Sequence, residues 1–322
     1  MKRCRKMNKT SDNGNAIRVE NLVKKFGDLT ALKGVSFKVK KGDIVGYLGP
    51  NGAGKTTTIK LLTNLLSPTF GKVYINGINV NKNPQKALSY VGSLIEVPGI
   101  YGYLTPNELM THFGKVYRMS SERITKRIKK VLSTVRLGDW EHKKIEEFST
   151  GMKRRLAIGM ALLPEPEILI LDEPVMGLDP KGIKEIRELI NKLGEKEITI
   201  FLSSHLLQEV SLTCNKVIFL FEGEIVAYDD VEKILEAPEH KRISVEFLNP
   251  LSKDEIDSLR SLKPIGKVKV EGNEAKIDNG GEKRHMHKIL SLLVEEGLEV
   301  VSFNYEKKDL EDLYISLAGE NE

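Results

Sequence analysis

The chain is poor in several things at once, and each shortage removes a class of protein. Cysteine occurs only at Cys4 and Cys214 in 322 residues, so there is no disulfide framework and the composition suits a reducing cytosol. No stretch reaches the roughly 18 apolar residues of a bilayer-crossing helix, so nothing in the sequence spans a membrane. Glutamine is confined to Gln85 and Gln208 while lysine and glutamate abound, a balance associated with thermostable proteins. An excess of one charge is also missing once the charge is located. The net +5 is supplied by Lys2, Arg3, Arg5, Lys6 and Lys9, leaving residues 10–322 at zero (5 − 5 = 0). A nucleic-acid footprint needs a basic face on the folded part, so no nucleic-acid partner is expected. The polar MNKTSDNGNA that follows is no signal-peptide core; a start at Met7 would remove most of the basic tail.

What is present is a soluble, globular profile with 40% hydrophobic and 30% charged residues, long enough for roughly two domains. Ile17–Glu20 and Val35–Val39 read as short strands around KKFGDLTALKG (residues 24–34), a loop rich in turn formers. Asp43–Leu48 reads as a strand, and Lys55–Leu66 follows at helical spacing. Residues from about 105 to 147 are mostly helical. Strands at Glu167–Asp172, Ile198–Ser203 and Lys216–Phe221, with a helix near Lys184–Leu193, imply a mostly parallel, helix-covered sheet. The pattern changes around residues 237–241. Strand Ile243–Phe247, helix Lys253–Leu262, strands Lys267–Glu271 and Glu274–Asp278, helix His285–Glu296 and strand Glu299–Tyr305 follow, then a terminal helix Leu310–Leu317. The order βαββαβ is that of a ferredoxin-like module. His285 and His287 there have no nearby cysteine and read as a surface helix start.

Between strand and helix, Gly49, Pro50, Asn51, Gly52, Ala53, Gly54, Lys55 and Thr56 fit the phosphate-binding pattern G-x-x-x-x-G-K-[ST]. Glycines there let successive N–H groups turn onto an anion, and the helix start adds its partial charge. Lys55 would reach the β- and γ-phosphates, Thr57 would help hold the α-phosphate, and Thr56 would ligate Mg²⁺. Asp172 and Glu173 end an apolar strand, where open α/β sheets bind ligands. Asp172 can hold Mg²⁺ through water, while Glu173 can polarise a water for in-line attack on the γ-phosphate. His205 ends the apolar run ITIFLSSH and could reach the same phosphate. FSTGM at Phe148–Met152 adds a second anion-binding turn at a helix start, which the first site does not need.

These motifs, in this order, resemble the nucleotide-binding subunit of ATP-binding cassette (ABC) transporters over about Ile17–Asp230. The signature, usually LSGGQ, stands as Phe148–Met152, the acidic strand as ILILDEP, the next loop as Gly177–Asp179, and the switch histidine as His205. The resemblance implies an α/β P-loop NTPase cassette at 16–238, with a mostly parallel core, an antiparallel β subdomain and a helical subdomain at about 105–163. A disordered basic tail (1–15) and an α+β ferredoxin-like accessory domain (239–322) flank it. It implies ATP and Mg²⁺ as ligands and ATPase activity driving transport, with export suggested by the subgroup. Phe26 stands where the family stacks an aromatic on adenine.

Two cassettes of the family pair head to tail, so Ser149, Thr150, Gly151 and Asp179 would serve the neighbour's nucleotide. A homodimer, or a pair with a related cassette, is thereby implied. The switch glutamine is replaced by Glu96, an expected Mg²⁺ ligand, and Thr150 replaces a glycine. Both mark the subgroup of bacitracin-resistance and lantibiotic-immunity exporters. Residues 97–108, with Pro98, Ile100, Tyr101, Tyr103 and Leu104, would meet an integral membrane subunit, placing the chain on the cytoplasmic face of the membrane. Two alternatives fit less well. A soluble ABC ATPase acting on ribosomes or DNA usually has two cassettes or a long coiled coil, and only 94 residues separate Lys55 from Ser149 (149 − 55 = 94). A P-loop kinase or switch leaves the signature and His205 unused.

Overall fold

The computed structural model describes residues 14–96, 99, 101–236, 241–261, 268–278 and 286–307. It divides into two compact units, one ending at Tyr228 and one beginning at Asp229. The expected terminal helix Leu310–Leu317, His285, Pro98, Ile100, most of the basic tail and residues 237–240 lie outside the described residues.

The first unit opens with a hairpin of β1 (Asn15–Phe26) and β2 (Leu29–Lys40). This corrects the loop expected at residues 24–34: Lys24 pairs with Leu32 and Phe26 with Leu29. Pairing buries Leu22, Leu32 and Val35 in the core, and the tight turn falls at Gly27–Asp28, where Gly27 has φ 55°. β3 (Ile44–Leu48) starts a second sheet and leads through a loop into α1 (Lys55–Leu62), shorter than its apolar spacing suggests. β4 (Phe70–Ile75) and β5 (Ile78–Asn79) return to the first sheet, whose order is β2-β1-β4-β5 with antiparallel pairs. α2 (Pro84–Leu88) and β6 (Val91–Leu94) follow.

A helical stretch comes next. α3 (Pro106–Val116) starts at a capping box in which Thr105 and Glu108 bond each other's backbone N–H. α4 (Ser121–Thr134) buries Ile124, Ile128, Val131 and Leu132, the apolar stripe of an otherwise basic helix. α5 (Thr150–Leu162) leads to β7 (Ile168–Leu171), then α6 (Pro180–Gly194), β8 (Thr199–Ser204), α7 (Leu207–Thr213), β9 (Lys216–Phe221) and β10 (Glu224–Asp230).

The second sheet has the order β10-β9-β3-β8-β7-β6. The pairs β9/β3, β3/β8, β8/β7 and β7/β6 are parallel. β7 and β8 are buried at every position, which is why β7 reads as a continuous apolar run and β8 carries Ile200–Leu202 without alternation. Phe37, Tyr47 and Phe201 join the two sheets: Phe201 stacks on Phe37 at 5.6 Å and lies 5.2 Å from Tyr47 between ring centroids. Because β3, β8 and β7 are adjacent and parallel, their carboxyl ends open onto one edge, and the next residues after each strand meet there.

The second unit contains α8 (Val231–Glu236), β11 (Lys241–Phe247), α9 (Lys253–Ser261), β12 (Val268–Glu271), β13 (Glu274–Asp278), α10 (Met286–Glu295) and β14 (Val300–Lys307). Its sheet has the order β12-β13-β11-β14, all pairs antiparallel. Ile243, Phe247, Ala275, Ile277, Ile289 and Leu293 form a core of its own. Among the described residues no helix is long and apolar enough to cross a membrane.

Candidate functional site

The loop after β3 is shaped by two glycines. A Cβ on Gly49 would stand 2.3 Å from the Leu220 carbonyl oxygen, and Gly54 has φ 108° with the Ala31 carbonyl 2.8 Å from where its Cβ would be. No larger residue fits either place. The loop therefore lies tight against β9 and the first sheet, and α1 begins at Lys55. The Lys55 Nζ curls back under the loop, donating to the carbonyls of Gly49 at 2.7 Å and Pro50 at 3.2 Å.

The ends of β7 and β8 complete the site. The Asp172 side chain is buried, and its Oδ1 accepts a short hydrogen bond from Ser203 Oγ at 2.6 Å and a long one from Thr56 Oγ1 at 3.4 Å. Glu173 follows with φ 45°, a left-handed conformation uncommon for a side-chain-bearing residue. That twist separates the two carboxylates and sends Glu173 toward Lys55 and His205. Its Oε1 lies 3.5 Å from Lys55 Nζ, and its Oε2 lies 2.9 Å from His205 Nδ1. The Ser203 hydroxyl also accepts the Glu173 N–H at 2.9 Å, so one serine positions both acids.

Lys55, Thr56, Asp172 and Glu173 line a cavity of about 490 Å³ together with Phe26, Thr57 and Glu96. Pro50, Asn51, Gly52 and Gly54 contribute its loop wall, while Gly49 and Ala53 stand behind them. Phe26 is half-exposed at the cavity rim, with Lys24 Nζ 4.8 Å above its ring. Glu96 also has a left-handed backbone, φ 59°, and its carboxylate is held by Lys60 Nζ at 2.7 Å rather than by the Thr56–Asp172 group.

Ser149, Thr150, Gly151 and Asp179 do not line this cavity. Ser149 caps α5, its Oγ accepting the Met152 N–H at 3.2 Å, and Asp179 caps α6, its Oδ1 accepting the Gly182 N–H at 2.9 Å. The two helix starts are neighbours, since a Cβ on Gly151 would stand 3.9 Å from Gly182 Cα. Thr150 takes its place in α5 without a positive φ. Three residues of the site carry no motif signal: Ser203, Lys60 and Arg154. Only Ser203 had a clue in sequence, its position two residues before His205 at the end of an apolar strand.

The donor set suits a hard divalent cation. Thr56 and Asp172 offer oxygen from two elements, and no group of three or more His, Cys, Asp or Glu forms a cage among the described residues. Mg²⁺ is commonly bound this way, through one or two protein oxygens and the substrate phosphates.

A glycine loop closing on a buried lysine, with a carboxylate pair at the end of the adjoining parallel strands, defines a P-loop nucleotide-binding ATPase. Comparison with known proteins places the chain within that class. The family described as ABC transporter matches residues 32–176. The linearmycin resistance ATP-binding protein LnrL of Bacillus subtilis is 33% identical over 307 residues, covering 94% of this chain and 98% of that protein. The bacitracin transport ATP-binding protein BcrA of Bacillus licheniformis is 37% identical over 309 residues, covering 94% and 97%. The lantibiotic transport ATP-binding protein SrtF of Streptococcus pyogenes is 37% identical over 223 residues, covering 68% and 94%.

Among solved structures, an ABC transporter ATP-binding cassette in its ADP conformation is 29% identical with a TM-score of 0.63, covering 70% of this chain and 96% of that one. A dimeric cassette in a post-hydrolysis state with ADP and Pi is 28% identical with a TM-score of 0.60, covering 67% and 98%. The chain belongs to the ABC transporter family, as an ATP-binding subunit whose ATPase activity is coupled to transport. ATP is the nucleotide of this subunit class, and the family's dimeric cassettes and transport relatives imply a second cassette and a membrane subunit as partners. The reading as a soluble ATPase of ribosomes or DNA finds no support in these relatives.

Proposed function

We propose that this chain drives an exporter of antimicrobial compounds from the inner face of the cell membrane, working as a homodimer or paired with a related cassette. The names of the linearmycin, bacitracin and lantibiotic relatives support that cargo class. The observation that carries the mechanism is the grouping of Lys55, Thr56, Asp172 and Glu173 around one cavity, with His205 off its lining but bonded to Glu173 and Ser149–Gly151 outside it. Lys55 would leave its carbonyl partners for the β- and γ-phosphates, Thr57 would hold the α-phosphate, and Phe26 would stack on the adenine. Thr56, Asp172 through water, and Glu96 after release from Lys60 would hold Mg²⁺. When bound, the ion neutralises phosphate charge. Glu173 would orient the attacking water, and His205 would fix that carboxylate and reach the γ-phosphate. Ser149, Thr150, Gly151 and Asp179 would complete a neighbour's site, so hydrolysis would require the dimer.

Residues 97–108 would dock the membrane subunit, with Tyr101 and Tyr103 as exposed aromatics 5.8 Å apart. The C-terminal unit, 239–322, would be a ferredoxin-like accessory module, and its strand order β12-β13-β11-β14, with α9 following β11 and α10 following β13, supports this. The deciding experiment is Glu173→Gln. The variant is expected to bind ATP, lose turnover and accumulate as a dimer by size-exclusion chromatography with ATP and Mg²⁺. Turnover equal to that of the unmodified chain would refute the role of Glu173, and a monomer under those conditions would refute the shared site.

A further inference from the structure

Arg154 is a buried cation that the site motifs leave without a task. It stands on α5, five residues after the cap Ser149 (154 − 149 = 5), and is 6% exposed. Among the described residues no carboxylate pairs with it, and burial works against its charge, lowering its pKa. The one side-chain hydrogen bond it makes among the described residues runs from Nη2 to the Met176 carbonyl at 3.0 Å. Met176 in turn closes the turn after Glu173, its N–H donating to the Glu173 carbonyl at 3.2 Å. Arg154 and Met176 both line the cavity that holds Lys55, Asp172 and Glu173.

As packing alone this arrangement is poor. A guanidinium has five N–H donors, and burying its charge without an anion is costly, so an apolar side chain of like length would fill the place better. Its position gives it another use. The start of α5 carries Ser149–Gly151, and the turn from Glu173 to Gly177 carries the candidate base and leads to Asp179. Glu173 has a left-handed backbone, φ 45°, which persists only where its surroundings hold it. Ser203 holds its N–H from one side. From the other side the Arg154 fork holds the carbonyl of the same turn and faces a cavity suited to an anion.

We propose that Arg154 is a positioning residue that ties the α5 start facing a neighbour's nucleotide to the turn that aims Glu173 at this chain's own. This rests on the dimer reading above. Closure of a neighbour onto Ser149–Gly151 would then be felt at Glu173 through one side chain, without passing through the phosphate loop.

The test compares the full-length chain with R154M, which keeps the stem but removes charge and donors, and R154K, which keeps the charge and one donor group. ATP affinity is measured by equilibrium binding of a fluorescent ATP analogue, and turnover by steady-state ATPase. Affinity is expected within about twofold in both variants, while kcat falls about tenfold or more in R154M, a loss in the range of a misplaced catalytic group. R154K is expected to recover part of that loss. Turnover of R154M within about twofold of the unmodified chain overturns the proposal. So does an affinity loss in R154M equal to its loss of kcat, which is what general loosening of the cavity predicts, and so does R154K as impaired as R154M. E173Q run alongside reads the dimer separately: failure to trap a dimer sinks the underlying reading, whereas a trapped dimer with fully active R154M sinks only the role of Arg154.

Discussion

Replacing Ser203 with alanine removes a single hydroxyl, yet a candidate metal ligand, Asp172, and the candidate base, Glu173, both depend on it. The side chain is wholly buried in β8 and donates to Asp172 Oδ1 at 2.6 Å while accepting the Glu173 N–H at 2.9 Å. A hydrogen bond to a charged group contributes about 1.5–3 kcal/mol and a neutral one about 1 kcal/mol. The two together set an upper range of about 2.5–4 kcal/mol. Thr56 Oγ1 can shorten its 3.4 Å approach to the same carboxylate oxygen and recover part of this, so the expected loss is about 2–3 kcal/mol. For a unit of 150–250 residues each kcal/mol shifts Tm by about 2–4 °C, which gives a fall of about 4–12 °C.

The same change frees the Glu173 backbone. A displacement of about 1 Å in a reacting group can lower kcat about 100-fold. Melting followed by circular dichroism and steady-state ATPase assays read the two effects separately. Ser89→Ala provides the reference, since that hydroxyl donates to the Lys86 carbonyl on the exposed surface and should change stability by no more than about 0.5 kcal/mol. If S203A melts with the S89A reference and turns over within about twofold of the unmodified chain, the reasoning is refuted.

Two further outcomes follow from exposed groups. Tyr101 and Tyr103 are 59% and 65% exposed; replacing both with alanine is expected to leave ATPase of the purified chain intact while co-purification with the membrane subunit is lost. Retained co-purification and transport would count against that docking role. At Glu165, the hydrogen bond from Arg123 holds the carboxyl below its ordinary 4.5, with weak burial opposing and Arg127 assisting. A lowered folded-state pKa gives stability that is present above the unfolded value and disappears as pH falls through the lowered one. E165Q is therefore expected to be less stable than the unmodified chain near neutral pH, the gap closing below about pH 4.5. Urea midpoints that keep a constant gap from neutral pH down to the acid limb would overturn this pairing.

The parts of the site readable in sequence are those whose chemistry is contiguous. Gly49–Thr56 needs its glycines and lysine at fixed spacing because backbone N–H groups from one loop must converge. Asp172 and Glu173 are exposed to notice by the four aliphatic residues before them. The hairpin at residues 24–34 was obscured because Lys24, Lys25, Thr30 and Lys33 break the apolar alternation, and Leu22 and Leu32 show their meaning only when paired across strands. β4 and β6 each bury only two positions, Val73 and Ile75 in β4 and Gly92 and Leu94 in β6, and β5 is two residues long, so no apolar run marks them.

By itself the sequence determined a P-loop nucleotide site, an acidic strand end, a second serine-capped helix start at Ser149 and a separate βαββαβ unit, because each is specified by neighbours along the chain. Only the tertiary structure decided that Ser203 serves both acids, that Glu96 is held by Lys60, and that Arg154 reaches Met176. Those contacts join residues 31, 36 and 22 positions apart. The parallel order β3-β8-β7 and the packing of α5 beside the Glu173 turn bring them together. Local spacing cannot encode such meetings, since they depend on which strand lies beside which and on where a buried charge finds its one acceptor.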